Sequence, residues 1–418
     1  MKSPEPVLER IQNQLLALAR FSDDARPGWT RQVFTPVYRA ERDWMLRQFS
    51  EAGLSDVHTD VAGNIVGVLV GRNPLAAPIV IGSHTDTVDG GGRFDGIVGV
   101  LGSLEIIRLI RENGMHLYRS LVVMDFLGEE PNNFGIGCLG SRALVGQLKP
   151  EDLERKNFEG ATLGQAYERF GLDPGAMLGA TVRPGSWHSY VELHIEQGSE
   201  LEKAGKDIGV VTGIAGIQRL LLDFRGRPDH AGTRRMEERS DALVAAAEAV
   251  LAIRHETCGA PAGSVGTTTH LISQQDSLNV VPGRVELRGE IRSTSQDWLT
   301  TAERRLTAQI RASAAQYGVD VEAMWWPDNE VALADRTIQD VISRSAESLG
   351  FSWEAIPSGA THDAAHLSHI SPMGMVFVPS QAGRSHCPEE WTDLIDIGRG
   401  IQTFFALIQE LDRTEITR

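Results

Sequence analysis

The stretch IGSHTDTVDGGGRFDG, residues 81–96, packs His84, Asp86 and Asp95 among glycines directly after an apolar run. Further along, Glu129 and Glu130 stand side by side in GEEPNNFG, His194 lies in VELHIEQG and His386 in GRSHCPEE. Imidazoles and carboxylates without a thiolate in register form a nitrogen and oxygen donor field suited to zinc, manganese, cobalt or nickel. Asp86, two residues from His84, is placed to orient that imidazole from behind. The glycines let the backbone turn tightly enough to bring Asp95 back to the same point. Taken singly, each residue also has an ordinary reading: His84 or Asp95 as a turn residue, Glu129 and Glu130 as surface charge, His194 as a satisfied core histidine. The glutamate pair follows a strongly apolar strand, however, where adjacent like charges are costly unless a cation or a shared proton compensates. Cys387, beside His386, invites a nucleophile reading that metal chemistry does not need.

These residues share one kind of location, the carboxyl end of an expected strand. His84, Asp86 and Asp95 follow PIVIGS, the glutamates follow SLVVMDFLG, His194 ends SYVELH and His386 lies beyond MVFVPS. In open α/β sheets that edge is where ligands bind. The first half of the chain alternates apolar strands with amphipathic helices such as IVGVLGSLEIIRLIREN, which implies a mainly parallel sheet covered by helices. From residue 213 the rhythm changes. IQRLLLDFRGR, GSVGTTTHLIS, RVELRGEIRS and VDVEAMWW read as strands, and SDALVAAAEAVLAIRHE and WLTTAERRLTAQIRASAAQYG as helices, in the order βαββαβ of a ferredoxin-like unit. After residue 328 the helix TIQDVISRSAESLG and the strand PMGMVFVPS resume the earlier pattern. The expected organisation is a catalytic domain over 1–212 and 329–418, interrupted by an inserted unit over 213–328.

Bulk properties narrow the function further. A formal charge of −16 would repel a phosphate backbone, and no lysine and arginine stripe overrides it, so nucleic acid is not an expected partner. Cys138, Cys258 and Cys387 have no CxxC spacing, which argues against a disulfide framework and suits a reducing compartment. The N-terminal segment lacks the apolar block of a signal peptide, and no run reaches the length of a membrane span. The expectation is a cytoplasmic protein.

The blocks GSHTDTVDGGGRFDG, GEEPNNFG, VELHIEQG, PDHAG, NVVPGRVELRGEIRS and GRSHCPEE resemble the signature blocks of the M20 metallopeptidase-like amidohydrolases. The resemblance is to the hydantoinase/carbamoylase branch, which contains N-carbamoyl-L-amino-acid hydrolases, ureidopropionases and allantoate amidohydrolases. It runs from roughly residue 10 to 410, and HIEQG separates this branch from the peptidases and aminoacylases that share the metal site. It implies two divalent metals per subunit, zinc or else manganese, cobalt or nickel, bridged by Asp95. One would be completed by His84 and His386 and the other by Glu130 and His194, with Glu129 as general base. It also implies that His230 of PDHAG acts in catalysis and substrate binding, that Asn279, Arg292 and Gly359 contact substrate, and that Gln197 lies near the metals. The inserted unit would serve as lid and homodimer interface, with His230 reaching the partner's active site.

Elementary chemistry supports these roles in kind. Water at a divalent site is acidified enough to attack at neutral pH, and a buried glutamate can relay its proton to a leaving nitrogen. An imidazole donating to a tetrahedral oxyanion lowers the barrier by about 3 kcal/mol. The planar fork of Arg292 matches a substrate carboxylate, whereas a surface cross-strand ion pair suffices for Arg288. Two places depart from the family pattern: Pro131, Asn132 and Asn133 follow the glutamate pair, and Thr361 in SGATHDA stands where glycine is common. Neither removes a ligand, and both bear on the substrate. His362 and Asp363 of the same segment read equally as supporting groups or as structural residues.

The expected activity is hydrolysis of the carbamoyl C–N bond of an N-carbamoyl-L-amino acid or a similar small ureido carboxylate, giving the amine, ammonia and carbon dioxide. Allantoate is the nearest competing substrate. An aminoacylase or dipeptidase using the same metals, a single-metal site and a non-catalytic binding protein are the further alternatives.

Overall fold

The computed structural model describes residues 5–275 and 277–416. The chain forms two compact units, one of Met1–Thr212, Leu333–Ser358 and His362–Arg418, the other of Gly213–Ala332 and Gly359–Thr361.

The strands in chain order are β1 (Ser55–Thr59), β2 (Ile65–Leu69), β3 (Ile79–His84), β4 (Leu121–Phe126), β5 (Ser189–Ile195), β6 (Ile208–Ile214), β7 (Gly216–Arg225), β8 (Val265–Ser273), β9 (Arg284–Ser293), β10 (Asp320–Asn329), β11 (Ala332–Leu333), β12 (Trp353–Ser358) and β13 (Met373–Val378). The large sheet runs β1-β2-β4-β3-β5-β13-β6-β11, and β12 also pairs with β6. Its centre, β4-β3-β5-β13, is parallel throughout, while β2 and β6 join it antiparallel. The parallel strands are buried along nearly their whole length, which is why IVIGSH and MGMVFV read as continuous apolar runs rather than alternating ones.

Helices Ile97–Glu112 and Leu394–Leu411 pack on this centre and fill the core with Ile97, Leu101, Leu104, Ile401, Phe404 and Ile408. Each such buried apolar side chain contributes about 1.5–3 kcal/mol relative to exposure. The edge hairpin β1–β2 was not evident in the sequence. Its outer strand SDVHT is polar except for Val57 and its register slips between Ser55 and His58, so the period-2 signal is broken. Between Leu139 and Leu178 the chain forms only short helices rather than another strand–helix repeat.

The smaller unit is a four-stranded antiparallel sheet in the order β10-β7-β9-β8. Helices Ala242–Cys258 and Gln296–Gln316 pack against it. Asp241 caps the first helix by accepting from Leu243 N and Val244 N, and Ser295 caps the second by accepting from Trp298 N. The buried face of the first helix is mostly alanine (Ala242, Ala245, Ala246, Ala249, Ala252), which lets its backbone lie close to the sheet. Strand order and connectivity are those of the βαββαβ arrangement.

Candidate metal centre

Parallel pairing sets the first half of the site. His84 is the last residue of β3, and His194 lies near the end of the adjacent β5, so their rings meet with centroids 6.0 Å apart. Asp95 is delivered to the same point by the turn that precedes helix Ile97–Glu112. That turn requires Gly96, whose φ is 68° and whose Cβ, if it had one, would lie 2.3 Å from Nε2 of His84. Glu129 and Glu130 follow the end of β4. His386 comes from the loop beyond β13, on backbone with φ 55°.

The carboxylate of Asp95 faces two groups at once. Its Oδ1 is 3.2 Å from Nε2 of His194 and 3.8 Å from Nε2 of His84, while its Oδ2 is 3.0 Å from Nε2 of His386. Nε2 of His386 is in turn 3.3 Å from Oε1 of Glu130. Two of the groups that could hold a metal ion share Asp95: His84–Asp95–His194 and Asp95–Glu130–His386, each with donor atoms within 4.8 Å of one another. This grouping differs from the partition expected from the sequence, which paired His84 with His386 and Glu130 with His194. Strand adjacency decides it: β3 and β5 are neighbours, whereas His386 and Glu130 both come from loops that meet on the other oxygen of Asp95.

The imidazoles are presented for ligation. Nδ1 of His84 lies 3.2 Å from the carbonyl of Asp86, and Nδ1 of His194 lies 2.9 Å from the carbonyl of Ile195. In both, Nδ1 is engaged by a backbone carbonyl and Nε2 is the nitrogen turned toward Asp95. Asp86 does more than back His84. Its Oδ1 accepts from Glu129 N and its Oδ2 from Glu130 N, both at 3.1 Å, so one carboxylate fixes the turn that bears both glutamates. Gln197, with φ 57°, donates from Nε2 to Oδ2 of Asp95 at 2.8 Å. Left-handed backbone at non-glycine residues costs about 1–2 kcal/mol each, so His386 and Gln197 are held there by their surroundings.

Electrostatics describe a cluster short of positive charge. Burial pushes Glu129 well above the ordinary carboxylate range, with Glu130 adding to it against His84, and Oε2 of Glu129 lies 3.5 Å from Nε2 of His84. Burial and the neighbouring Asp95 push Glu130 up to about 8. Burial opposes ionisation of Asp95, yet hydrogen bonds from His194 and His386 hold it well below its usual range. Partial burial would lower His386, but the Asp95 hydrogen bond and the charge of Glu130 raise it to about 9. Buried carboxylates that must borrow protons from histidines are the environment that divalent cations relieve, and the donor set fits them.

Sequence reasoning missed Glu192, which is buried on β5 two residues before His194 and so on the same face. It accepts from Ser83 Oγ at 2.6 Å and from the Tyr190 hydroxyl at 2.9 Å, and it groups with His194 and His362. An acidic residue in an otherwise apolar buried strand was the available signal. The His362 ring stands edge-on to His194 at 4.6 Å and pairs through Nε2 with Ser358 Oγ at 2.8 Å. Asp363 accepts from Ser141 Oγ at 2.5 Å. Cys387 makes none of these contacts, and no cysteine forms a disulfide among the described residues.

The remaining expected residues belong to the smaller unit. His230 pairs with Val280 in an isolated bridge, and Ala231 N donates to the carbonyl of Asn279 at 2.8 Å, which places His230 and Asn279 side by side. Nδ1 of His230 accepts from Gly232 N at 3.0 Å and Thr233 N at 3.2 Å. Its Nε2 is therefore the protonated, donating nitrogen. Arg292 donates from Nε to Glu290 at 2.7 Å and from Nη1 to the carbonyl of Gly359 at 3.0 Å. Thr361 Oγ1 donates to Asn329 Oδ1 at 3.1 Å. Arg288 pairs with Glu286 on its own strand rather than with a residue on a neighbouring one.

A parallel-centred sheet with imidazoles and carboxylates at its strand ends, beside a buried glutamate, is the architecture of a metal-assisted hydrolase. The chain belongs to Peptidase family M20/M25/M40, whose profile matches residues 80–410. It is 38% identical over 97% of its length to an N-carbamoyl-L-amino-acid amidohydrolase of Paenarthrobacter aurescens, covering 98% of that protein. It is 35% identical over 97% of its length to the N-carbamoyl-L-amino acid amidohydrolase of Geobacillus stearothermophilus, covering 99% of it. Among solved structures, an amidase of the hydantoinase/carbamoylase family from Burkholderia multivorans superposes with a TM-score of 0.88 at 31% identity, covering 99% of both chains. Among the described residues no helix is long and apolar enough to cross a membrane.

Proposed function

We propose that this protein hydrolyses the carbamoyl C–N bond of an N-carbamoyl-L-amino acid, releasing the free amino acid, ammonia and carbon dioxide. The protein is a hydrolase of non-peptide carbon–nitrogen bonds, and its full-length similarity to carbamoyl amidohydrolases supports the ureido substrate. The observation that carries the mechanism is the division of the two Asp95 oxygens between two ligand triads beside buried Glu129.

His84, His194 and Asp95 would hold one divalent cation, and Asp95, Glu130 and His386 a second. When bound, such cations lower the pKa of water and polarise a carbonyl. The chain's own groups do the rest. Glu129, whose burial makes it a strong enough base near neutral pH, takes the proton of the attacking water and returns it to the leaving nitrogen. Asp86 keeps Glu129 and Glu130 in register by holding both backbone amides. His230, a neutral imidazole with Nε2–H free to donate, serves the oxyanion. Arg292 has Nε and Nη1 already engaged, which fixes the plane of its fork for the substrate carboxylate, with Asn279 and Gly359 as further substrate contacts.

The protein is also proposed to be a homodimer through the smaller unit. On the edge strand β8, Leu271 is 42% and Ile272 47% exposed, and Leu243, Val244 and Leu251 of the adjacent helix are exposed as well. Exposed apolar side chains on an edge strand and on the helix beside it support a pairing surface.

The test is a substrate panel on metal-reconstituted protein, reading ammonia and free amine from N-carbamoyl-L-amino acids and allantoate, and acetate from N-acetyl amino acids. Carbamoyl substrates should give the highest kcat/KM, and exclusive release of acetate overturns the assignment. Glu129→Gln should keep its metal while turnover falls by roughly 10²–10⁴-fold, whereas a binding protein would have no turnover to lose.

A further inference from the structure

The loop that delivers Asp95 and the loop that delivers His386 meet on one buried side chain that no part of the mechanism above uses. Glu390 is 1% exposed. Its Oε1 accepts from Phe94 N at 2.8 Å and from Asp95 N at 3.1 Å, and its Oε2 accepts from Ser385 Oγ at 2.7 Å. Ser385 adjoins His386, and its Oγ also lies 3.1 Å from Oδ2 of Asp95. One carboxylate therefore grips the backbone of the shared ligand with one oxygen and the neighbour of another ligand with the other.

Two further features are built around this grip. Gly92 leaves room for it: a Cβ there would lie 2.1 Å from Oε1 and 2.2 Å from the carboxyl carbon of Glu390. Gly92 is not among the positive-φ glycines, so space rather than backbone conformation is what the residue supplies. On the outer side, the Arg93 guanidinium lies 4.4 Å from the Trp29 ring centroid and 5.1 Å from that of Trp391. The Phe94 and Trp391 rings meet edge-on at 5.4 Å. The aromatic contacts thus press together the same two loops that Glu390 joins inside.

We propose that Glu390 is the positioning residue of the metal centre, holding Asp95 and His386 at a fixed separation so that the two Asp95 oxygens face separate triads. The proposal rests on the ligand assignment given above. It assigns Glu390 no contact with substrate. A carboxylate that supports metal ligands from behind typically governs metal affinity or activity by 10–100-fold, and that is the size of effect expected here.

The test compares wild type, Glu390→Gln, Glu390→Ala and Gly92→Ala in three measurements: Zn²⁺ affinity by competition with a chelator, amide hydrogen exchange over residues 90–97 of the metal-free protein, and thermal unfolding to verify the fold. Glu390→Ala should weaken Zn²⁺ binding by roughly 10–100-fold and speed exchange at Phe94 and Asp95, while the amides of β13 keep their protection. Glu390→Gln keeps an oxygen for the two amides and should retain most of the affinity. Gly92→Ala, which displaces the carboxylate without removing it, should fall on the side of Glu390→Ala. Wild-type Zn²⁺ affinity in a folded Glu390→Ala protein overturns the proposal. A wild-type protein that binds Zn²⁺ but releases no ammonia from ureido substrates would instead overturn the functional assignment and leave the affinity comparison intact.

Discussion

The two units treat their polar residues in opposite ways. In the larger unit, Asp95, Glu130, His84 and His194 are buried among other ionisable groups: burial raises Glu130, whereas hydrogen bonds and neighbouring charges override burial at Asp95, His84 and His194. In the smaller unit, His230 is exposed, and Arg292 and Arg288 each pair with a glutamate two residues back along β9. The first arrangement is costly unless something arrives to neutralise it, whereas the second is already satisfied. A buried, charge-frustrated cluster announces a ligand by its own energetics, and a satisfied surface pair does not.

The sharpest break in this contrast is Asp95→Ala. Removing the group common to both triads should lower metal affinity by more than roughly a hundredfold and bring turnover to background, as read by metal analysis after dialysis together with ammonia release. Full activity with one tightly held metal would defeat the bridging role. Next in size is Arg292→Lys, which keeps the charge but loses the planar fork. A charge-assisted hydrogen bond is worth about 1.5–3 kcal/mol, so KM should rise roughly 10–100-fold with kcat changed far less.

The pH dependence of the metal-free protein is a smaller effect with a definite sign. Glu130 titrates at about 8 in the fold against an ordinary 4.5, and His386 at about 9 against 6.5. The stability each contributes is complete below the ordinary value and is lost as pH rises through the folded value. Both pull the same way, so Tm of the metal-free protein should fall between about pH 6 and pH 9. Added divalent cation should raise Tm more at the upper end, and a metal-free Tm that climbs over this window would contradict the assigned protonation. The smallest effect belongs to Arg288→Ala, which breaks only an exposed pair and should change stability by less than about 0.5 kcal/mol and kcat/KM hardly at all.

The same contrast explains what the sequence disclosed. The parallel centre was legible because strands buried on both faces leave uninterrupted apolar runs, and the inserted unit because its strands and helices alternate clearly in IQRLLLDFRGR and the segments after it. The five proposed ligand positions stood out as acids and imidazoles immediately beyond such runs. Their partition did not, because which histidine shares an oxygen of Asp95 depends on β3 lying beside β5, and order in the sheet is not written in local spacing. Glu192 carried a readable sign, an acid in register with His194 on a buried strand. Glu390 carried none, since a glutamate after CPE looks like any solvated loop residue until the Asp95 loop closes over it.

One consequence concerns anyone who would harden this protein against heat. Gln197 and His386 occupy backbone that glycine adopts freely and other residues resist. A selection scored on folding alone will therefore be drawn to glycine at these two positions, relieving backbone strain by deleting a donor to Asp95 in one case and a proposed ligand in the other. Thermostable libraries should be screened for bound metal before they are ranked by melting point.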